Sequence, residues 1–290
     1  MTTRAATLTL PWRFVSIRLH GWPLVPIGIL VVMVLVAIFA EVIAPHNAEI
    51  GTLGERFKPP AWSAGGSEKY LLGTDHLGRD VLSRLLFGAR VSLTVGFMAV
   101  VFAGCVGTFL GILSGFLGGW VDQVIMRITD AWLALPGLTF AIFLAAIVGP
   151  SMWNIVVILA LVFWTRYARV VRGEVLSLRE RDYVRLAIVA GCSNWSIMRK
   201  HILPNVVSSA IVLGTLQLGI VVVTEAALSF LGVGVRSPTP TWGGMLSDAV
   251  RWYTVAPHFV IVPGVAIFIT VLSFNLFGDG LRDALDPRSR

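Results

Sequence analysis

The stretch Val91–Leu117 reads VSLTVGFMAVVFAGCVGTFLGILSGFL, without one charged side chain. As an α-helix rising 1.5 Å per residue it reaches about 40 Å, more than the roughly 30 Å of a bilayer's hydrocarbon core. Lipid is therefore the solvent this stretch is built for. Within it Gly107, Gly111 and Gly115 recur every fourth residue, which sets three side-chain-free patches on one helix face. Apolar side chains gain little by leaving apolar tails, so helices in lipid associate by close approach at such faces. The helix packed there belongs either to this chain or to a neighbouring subunit, and both readings stand.

Working outward, five more apolar segments follow the same logic: Leu24–Ala44, Ala131–Val148, Met152–Thr165 with its flanks, Val206–Thr224 and Phe259–Phe277. The pattern predicts an all-α polytopic membrane protein with six transmembrane helices. Composition agrees, with 56% hydrophobic and 13% charged residues against roughly 25% charged in an average soluble domain. Arg4, Arg13 and Arg18 precede the first segment as in a secretory signal. The apolar run is too long for one and no small-x-small site follows, so an uncleaved anchor is predicted. Pro136 and Pro263 fall inside membrane segments and predict kinks, either static or hinged. Cys105 and Cys192 lie in regions with no reason to meet, and no disulfide is expected.

A net charge of +7 would suggest nucleic acid in a soluble protein, but here its distribution matters more. With the N-terminus inside, cytoplasmic pieces hold 15 of the 23 Lys and Arg: three before the first helix, Arg127, eight between Arg166 and His201, and three at the C-terminus. The positive-inside rule then sets both termini in the cytoplasm. The expected partner surface is the bilayer, with no nucleic acid. Residues 1–23 are read as a cytoplasmic segment, 24–45 as the first helix, and 46–90 as an extracytoplasmic loop with an interfacial helix. Residues 91–280 form a five-helix core that includes a cytoplasmic loop at 172–205, and 281–290 a cytoplasmic tail.

That cytoplasmic loop predicts two short amphipathic helices. Tyr183, Leu186, Ala187 and Ala190 recur at helical spacing after Asp182, Gly191 suits a C-terminal cap, Ser193 can cap the next helix, and Pro204 limits it. Trp195, Met198 and Ile202 make a second apolar stripe. Such a pair either lies on the membrane surface or docks into a groove of a soluble partner.

Here the chain resembles the permease subunits of binding-protein-dependent ABC importers. Ala187, Ala190, Gly191, Leu203 and Pro204 match that family's alanine-glycine-(spacer)-leucine-proline signature. Further stretches are similar to the second permease of its dipeptide, oligopeptide and nickel branch: Leu72–Asp80, Glu225–Gly232, Pro238–Gly243 and Phe274–Pro287. His201 replaces the isoleucine of the general signature, as is common in the peptide branch, and an acidic residue near Arg185 or Leu186 is absent. The resemblance implies the type I importer permease fold and a loop that couples to an ATPase through Asp182, Tyr183, Ala187, Ala190, Gly191, Trp195, His201, Leu203 and Pro204. It implies a homologous second permease in a heterodimer, two ATPase subunits and an extracytoplasmic solute-binding protein. ATP and Mg would sit on the ATPases, with no cofactor on this chain. It further implies import of di- or oligopeptides by alternating access, with a nickel or other small-solute permease as the alternative. The chain itself carries no Gly-x-x-x-x-Gly-Lys-Ser/Thr loop to cradle ATP phosphates.

The remaining candidates are weaker. Glu225 is an intramembrane carboxylate at the outer end of its segment, and either lines the pathway or sits at the interface partly in water. Gln217, on the same helix, is a candidate for the same lining. Asp75, His76 and Asp80 cluster as a metal site would, but Thr74 or Asp75 capping an interfacial helix, with Val81, Leu82, Leu85 and Leu86 on the bilayer, explains them more simply. No metal site is expected. Asp130 is paired with Arg127, and Asp279 with Arg282, as ordinary helix-end charges. Trp242 and Trp252 suit interface anchors in a plug, or a contact surface, between Gly232 and His258. An ion-coupled secondary transporter would need midplane carboxylates and broken helices in an internal repeat, and neither is evident.

Overall fold

A computed structural model describes residues 23–285. The predicted N-terminal segment with Arg4, Arg13 and Arg18, and the tail end Asp286–Arg290, lie outside the described residues. The described chain is helical: α1 Leu24–Ile38, α2 Ala40–Ile43, α3 Val81–Leu117, α4 Gly119–Leu133, α5 Gly137–Val148, α6 Met152–Arg179, α7 Asp182–Val189 and α8 Asn194–Ile197. A π turn over Met198–Ile202 leads into α9 Leu203–Phe230, followed by α10 Trp242–Val250 and α11 Pro257–Leu285. Four of these helical stretches are long and apolar enough to cross a membrane: α3, α6, the run Asn194–Phe230 and α11. The pair α4 and α5 also passes if counted as one bent span, and α1 is apolar but shorter.

The 37-residue α3 is the axis of the bundle. Its glycine face meets α6: a Cβ at Gly107 would lie 2.3 Å from the Trp164 carbonyl oxygen, one at Gly111 2.8 Å from that of Ala168, and one at Gly115 2.8 Å from Cβ of Val175. Of the two readings of this face, it is α6 of the same chain that occupies it. Bare backbone lets the two helices approach until side chains of α6 fill the glycine notches, and dispersion between the close surfaces holds them. Around this pair Val95, Ala99 and Ala103 of α3, Ala141 and Ala145 of α5, Ile155 and Leu159 of α6, and Val221 and Leu228 of α9 form one buried core.

Three sequence expectations change. The kink expected at Pro136 in the third segment, Ala131–Val148, is a full break after Leu133, and α4 and α5 meet at 89°. Pro136 sets the break: it removes a backbone donor, it keeps Leu135 out of the helical region, and its own ψ is 115°. Second, the fourth segment runs well beyond Thr165. α6 continues 28 residues to Arg179, carrying Arg166, Arg169 and Arg172 on its last turns. Third, among the described residues, 46–80 hold only a 3-10 turn, Leu53–Glu55, and the helix that follows Asp80 is α3 itself. Val81 and Leu86 are its first turns and are buried rather than facing lipid, capped by Asp80, whose carboxylate accepts from the Ser83 amide at 3.0 Å. Asp80 outcompetes Thr74 and Asp75 because it alone stands directly before the first helical residue, where a carboxylate meets the orphan amides.

Near residue 39 the first segment breaks between α1 and α2. Arg90 of α3 donates to the carbonyls of Ala37 and Ile38, both at 2.9 Å, and pairs with Glu41 at 2.7 Å. One guanidinium thus satisfies carbonyls that a helix end leaves open.

Candidate coupling loop and buried polar sites

The loop between α6 and α9 is built from the capping chemistry its sequence announces. Gly191 has φ +76°, and its amide donates to Ile188 O at 3.0 Å while the Cys192 amide donates to Ala187 O at 3.1 Å. These two bonds are a Schellman motif, which ends α7 where a residue without Cβ can turn left-handed. Ser193 accepts from the Ser196 amide at 3.3 Å and starts α8. Pro204 does not limit the second helix, as the sequence suggested. It is the second residue of α9, and the π turn just before it widens the ladder where a proline ring would collide with an i−4 carbonyl.

The loop has two faces. Val184, Ala187, Ile197, Met198 and Ile202 are buried against Ile112 and Phe116 of α3 and Val171 and Val175 of α6. Tyr183, Leu186 at 67% exposure, Val189 at 86% and Trp195 at 60% point away from the bundle, with Ala190 and Gly191 also exposed. Trp195 therefore leaves the stripe that Met198 and Ile202 share. Ala187 belongs to the buried face. His201 is half-buried, its ring 6.3 Å from that of Tyr183, while Asp182 lies exposed in the first turn of α7 and Leu203 on the first residue of α9.

Glu225 is fully buried, not partly in water. Its Oε1 accepts from Ser229 Oγ at 2.7 Å and Oε2 has no hydrogen-bond partner. The reason is α10, which closes over α9: a Cβ at Gly243 would lie 2.1 Å from the Ala226 carbonyl oxygen. Trp242 is likewise buried rather than an interface anchor, with Nε1 donating to Leu85 O at 3.1 Å, while Trp252 is 36% exposed, its ring tilted against that of Phe57 with centroids 4.9 Å apart. Gln217 is buried two turns before Glu225 with both amide atoms unpaired, as is the hydroxyl of Tyr167.

Asp75, His76 and Asp80 do not converge. Asp75 accepts from the Leu77 and Arg79 amides and pairs with Arg79 Nε at 2.6 Å. Asp80 is the α3 cap, with His46 Nδ1 3.4 Å away. Arg79 reaches on to Asp248 of α10 at 3.1 Å, and Arg84 stands 3.5 Å from the same carboxylate. Asp130 pairs with Arg169 at 2.6 Å rather than with Arg127. Asp122 of α4 receives two bonds from Arg172 of α6. Sequence reading missed Arg79–Asp248 and Asp122–Arg172, since partners 169 and 50 residues apart leave no local signal. Among the described residues no group of three or more His, Cys, Asp or Glu is placed to hold a metal ion.

With this geometry in hand, the similarities of the chain are decisive. Residues 107–290 match the family of binding-protein-dependent transport system inner membrane components. The chain belongs to that family. It is 42% identical over 287 residues, covering 98% of this chain and 94% of the relative, to the glutathione transport system permease protein GsiD of Pectobacterium atrosepticum. It is 40% identical over 286 residues, 98% and 92% of the two chains, to the dipeptide transport system permease protein DppC of Alkalihalophilus pseudofirmus. With GsiD of Escherichia coli it shares 43% identity over 258 residues, 89% and 84% of the two chains. This family member is a multi-pass inner-membrane permease subunit of an ABC importer, built on the type I permease fold. It is a transport subunit rather than an enzyme, and works with ATPase and solute-binding partners. The long, unbroken α9 with its sealed Glu225 also differs from the broken helices around midplane ion sites that mark secondary transporters.

Proposed function

We propose that this chain forms half of an alternating-access pathway for short peptides, opposite a homologous permease, driven by two ATPase subunits that bind ATP and Mg²⁺. The relatives named for glutathione, itself a tripeptide, and for dipeptides support a peptide cargo. The excess of Lys and Arg on the α7 side supports cytoplasmic termini, with residues 46–80 and α10 facing the binding protein.

The observation that carries the coupling role is the two-faced loop. Tyr183, Leu186, Val189 and Ala190 leave an apolar edge uncovered, while Ala187, Met198 and Ile202 root the same loop in α3 and α6. A groove on an ATPase would cover that edge as grooves cover amphipathic helices. A displacement of the groove is then passed to three membrane helices as rigid-body motion. The pathway role of Glu225 and Gln217 requires α9 to separate from α10 and α6, since both side chains are sealed in this conformation.

Charge on the exposed edge tests the proposal. Leu186→Glu and Ala190→Glu should leave membrane insertion and the ATPase partners' basal hydrolysis intact, and abolish uptake of a labelled dipeptide in proteoliposomes carrying the complete importer. Ala187 is a poor site for this test because a charge there is buried. Uptake at the wild-type rate in both variants would refute the coupling assignment.

A further inference from the structure

Between α3 and α9 lies an open groove of about 690 Å³ whose walls are apolar, within the roughly 300–1,000 Å³ usual for ligand sites. It runs alongside α3 from Phe97 past Cys105 and Phe109 to Leu113, and along α9 past Ile211. The sixteen helical steps from Phe97 to Leu113 make it about 24 Å long, longer than the 15 Å or so of one leaflet. None of its lining residues is acidic. At the α7 end its mouth is formed by Trp195, 60% exposed, and by the exposed guanidinium of Arg199.

We infer that this groove holds an acyl chain of an anionic phospholipid, with the headgroup phosphate on Arg199 and Trp195 at the interface. An open apolar groove whose one charged lining residue, Arg199, lies at its end suits a molecule that is hydrocarbon along its length and charged at its tip. The tip must be an anion, because the cation at the mouth is unmatched by any carboxylate of the groove. A guanidinium presents two parallel N–H groups to phosphate oxygens, and an indole prefers the headgroup level. Small residues make the slot: Gly104 and Gly214 face each other beside the Tyr167 ring, where a Cβ would lie 3.3 Å and 3.2 Å from its atoms. The lipid would wedge α3, on which the coupling loop packs, from α9, into which that loop leads, so lipid charge would tune the importer. That the headgroup lies in the cytoplasmic leaflet rests on the orientation proposed above. The site itself does not.

Cys105 lines the groove and is exposed, which supplies the probe. In a Cys192→Ser background, bimane on Cys105 is read in the complete importer in phosphatidylcholine nanodiscs doped with acyl-brominated phosphatidylglycerol or, at equal fraction, acyl-brominated phosphatidylcholine. One basic residue's attraction for anionic lipid predicts roughly fivefold stronger quenching by the brominated phosphatidylglycerol, with the difference lost in Arg199→Gln and kept in Arg199→Lys. Equal quenching by both lipids overturns the inference. Absence of quenching with Cys105 unreactive overturns it too, and assigns the groove to a helix of the partner permease. An impermeant maleimide on Cys192 in oriented vesicles reads the orientation separately.

Discussion

Arg172 on α6 grips Asp122 on α4 with both arms of its guanidinium, Nε donating to Oδ1 at 2.5 Å and an Nη to Oδ2 at 2.6 Å. Ser114 of α3 also donates to Asp122, so one carboxylate ties three helices where the glycine seam of α3 ends. Asp122→Ala should lower the thermal stability of the purified importer, by about 2 kcal/mol for bonds to a charged group. The exchange Asp122→Arg with Arg172→Asp should recover part of that loss. A melting temperature unchanged in Asp122→Ala would show that the pair is idle.

The α3 seam makes a contrast within one assay. A methyl at Gly107 meets backbone and Cβ at 2.3 Å and 2.5 Å, whereas one at Gly173 meets nothing within 4 Å. Gly107→Ala should cost about 1–3 kcal/mol by overpacking and Gly173→Ala almost nothing. Equal behaviour of the two in a thermal shift series would remove the close-approach account.

At the α10 end, Asp75 is the only fully buried carboxylate facing Arg79 and Arg84 among the described ion pairs. Asp75→Asn leaves two buried guanidiniums with the partly exposed Asp248 alone. Removing one partner of a buried pair costs about 3–5 kcal/mol, so this variant should fail to accumulate in membranes. Asp248→Asn should accumulate but expose residues 46–80 to protease. Wild-type levels of Asp75→Asn would contradict the network's role.

Gly191 sits at φ +76° with open space around it. Its substitution therefore reports conformation alone. Gly191→Ala should cost about 1 kcal/mol in the left-handed region and leave transport working. Gly191→Pro cannot adopt that φ, removes the amide that bonds Ile188 O, and should cut uptake while the chain still inserts. Identical uptake in the two variants would detach the Schellman turn from transport.

In the 46–80 loop, the Tyr70 hydroxyl, then the Lys69 ammonium, hold the Glu55 carboxyl down at about 2. A lowered folded-state value means its contribution is complete above the usual range near 4.5 and is lost as pH falls through about 2. Protection of residues 55–70 from hydrogen exchange, taken relative to the intrinsic rate at each pH, should therefore stay high from pH 7 to pH 4 and fall toward pH 2, whereas Glu55→Gln should be weakly protected throughout. A transition centred near pH 4.5 in the wild type would show that Tyr70 and Lys69 do not engage it.

How much was legible follows from the range of each interaction. The helical spans, the Gly191 cap and the Ser193 cap were readable because an apolar run and a cap are decided within a few residues. The 89° break at Pro136 was announced by the proline, but the kink angle was not. Of the two readings of Glu225, the one partly in water falls because its position along α9 sets only its depth, and it is α10, folded back through Gly243, that excludes water. Asp130 was paired with its helical neighbour Arg127, whereas α6 brings Arg169 closer.

By itself the sequence determined that this chain dissolves in lipid as helices and carries a two-faced loop between α6 and α9, since hydrophobic run length, period and capping are local properties read residue by residue. Only the tertiary structure decided which faces meet. The glycine seam takes α6, Arg172 takes Asp122, Arg79 takes Asp248, and α3 parts from α9 to leave the groove above Arg199. Apolar faces and charges are satisfied by any partner of the right kind, so the choice among them falls to how the whole bundle packs.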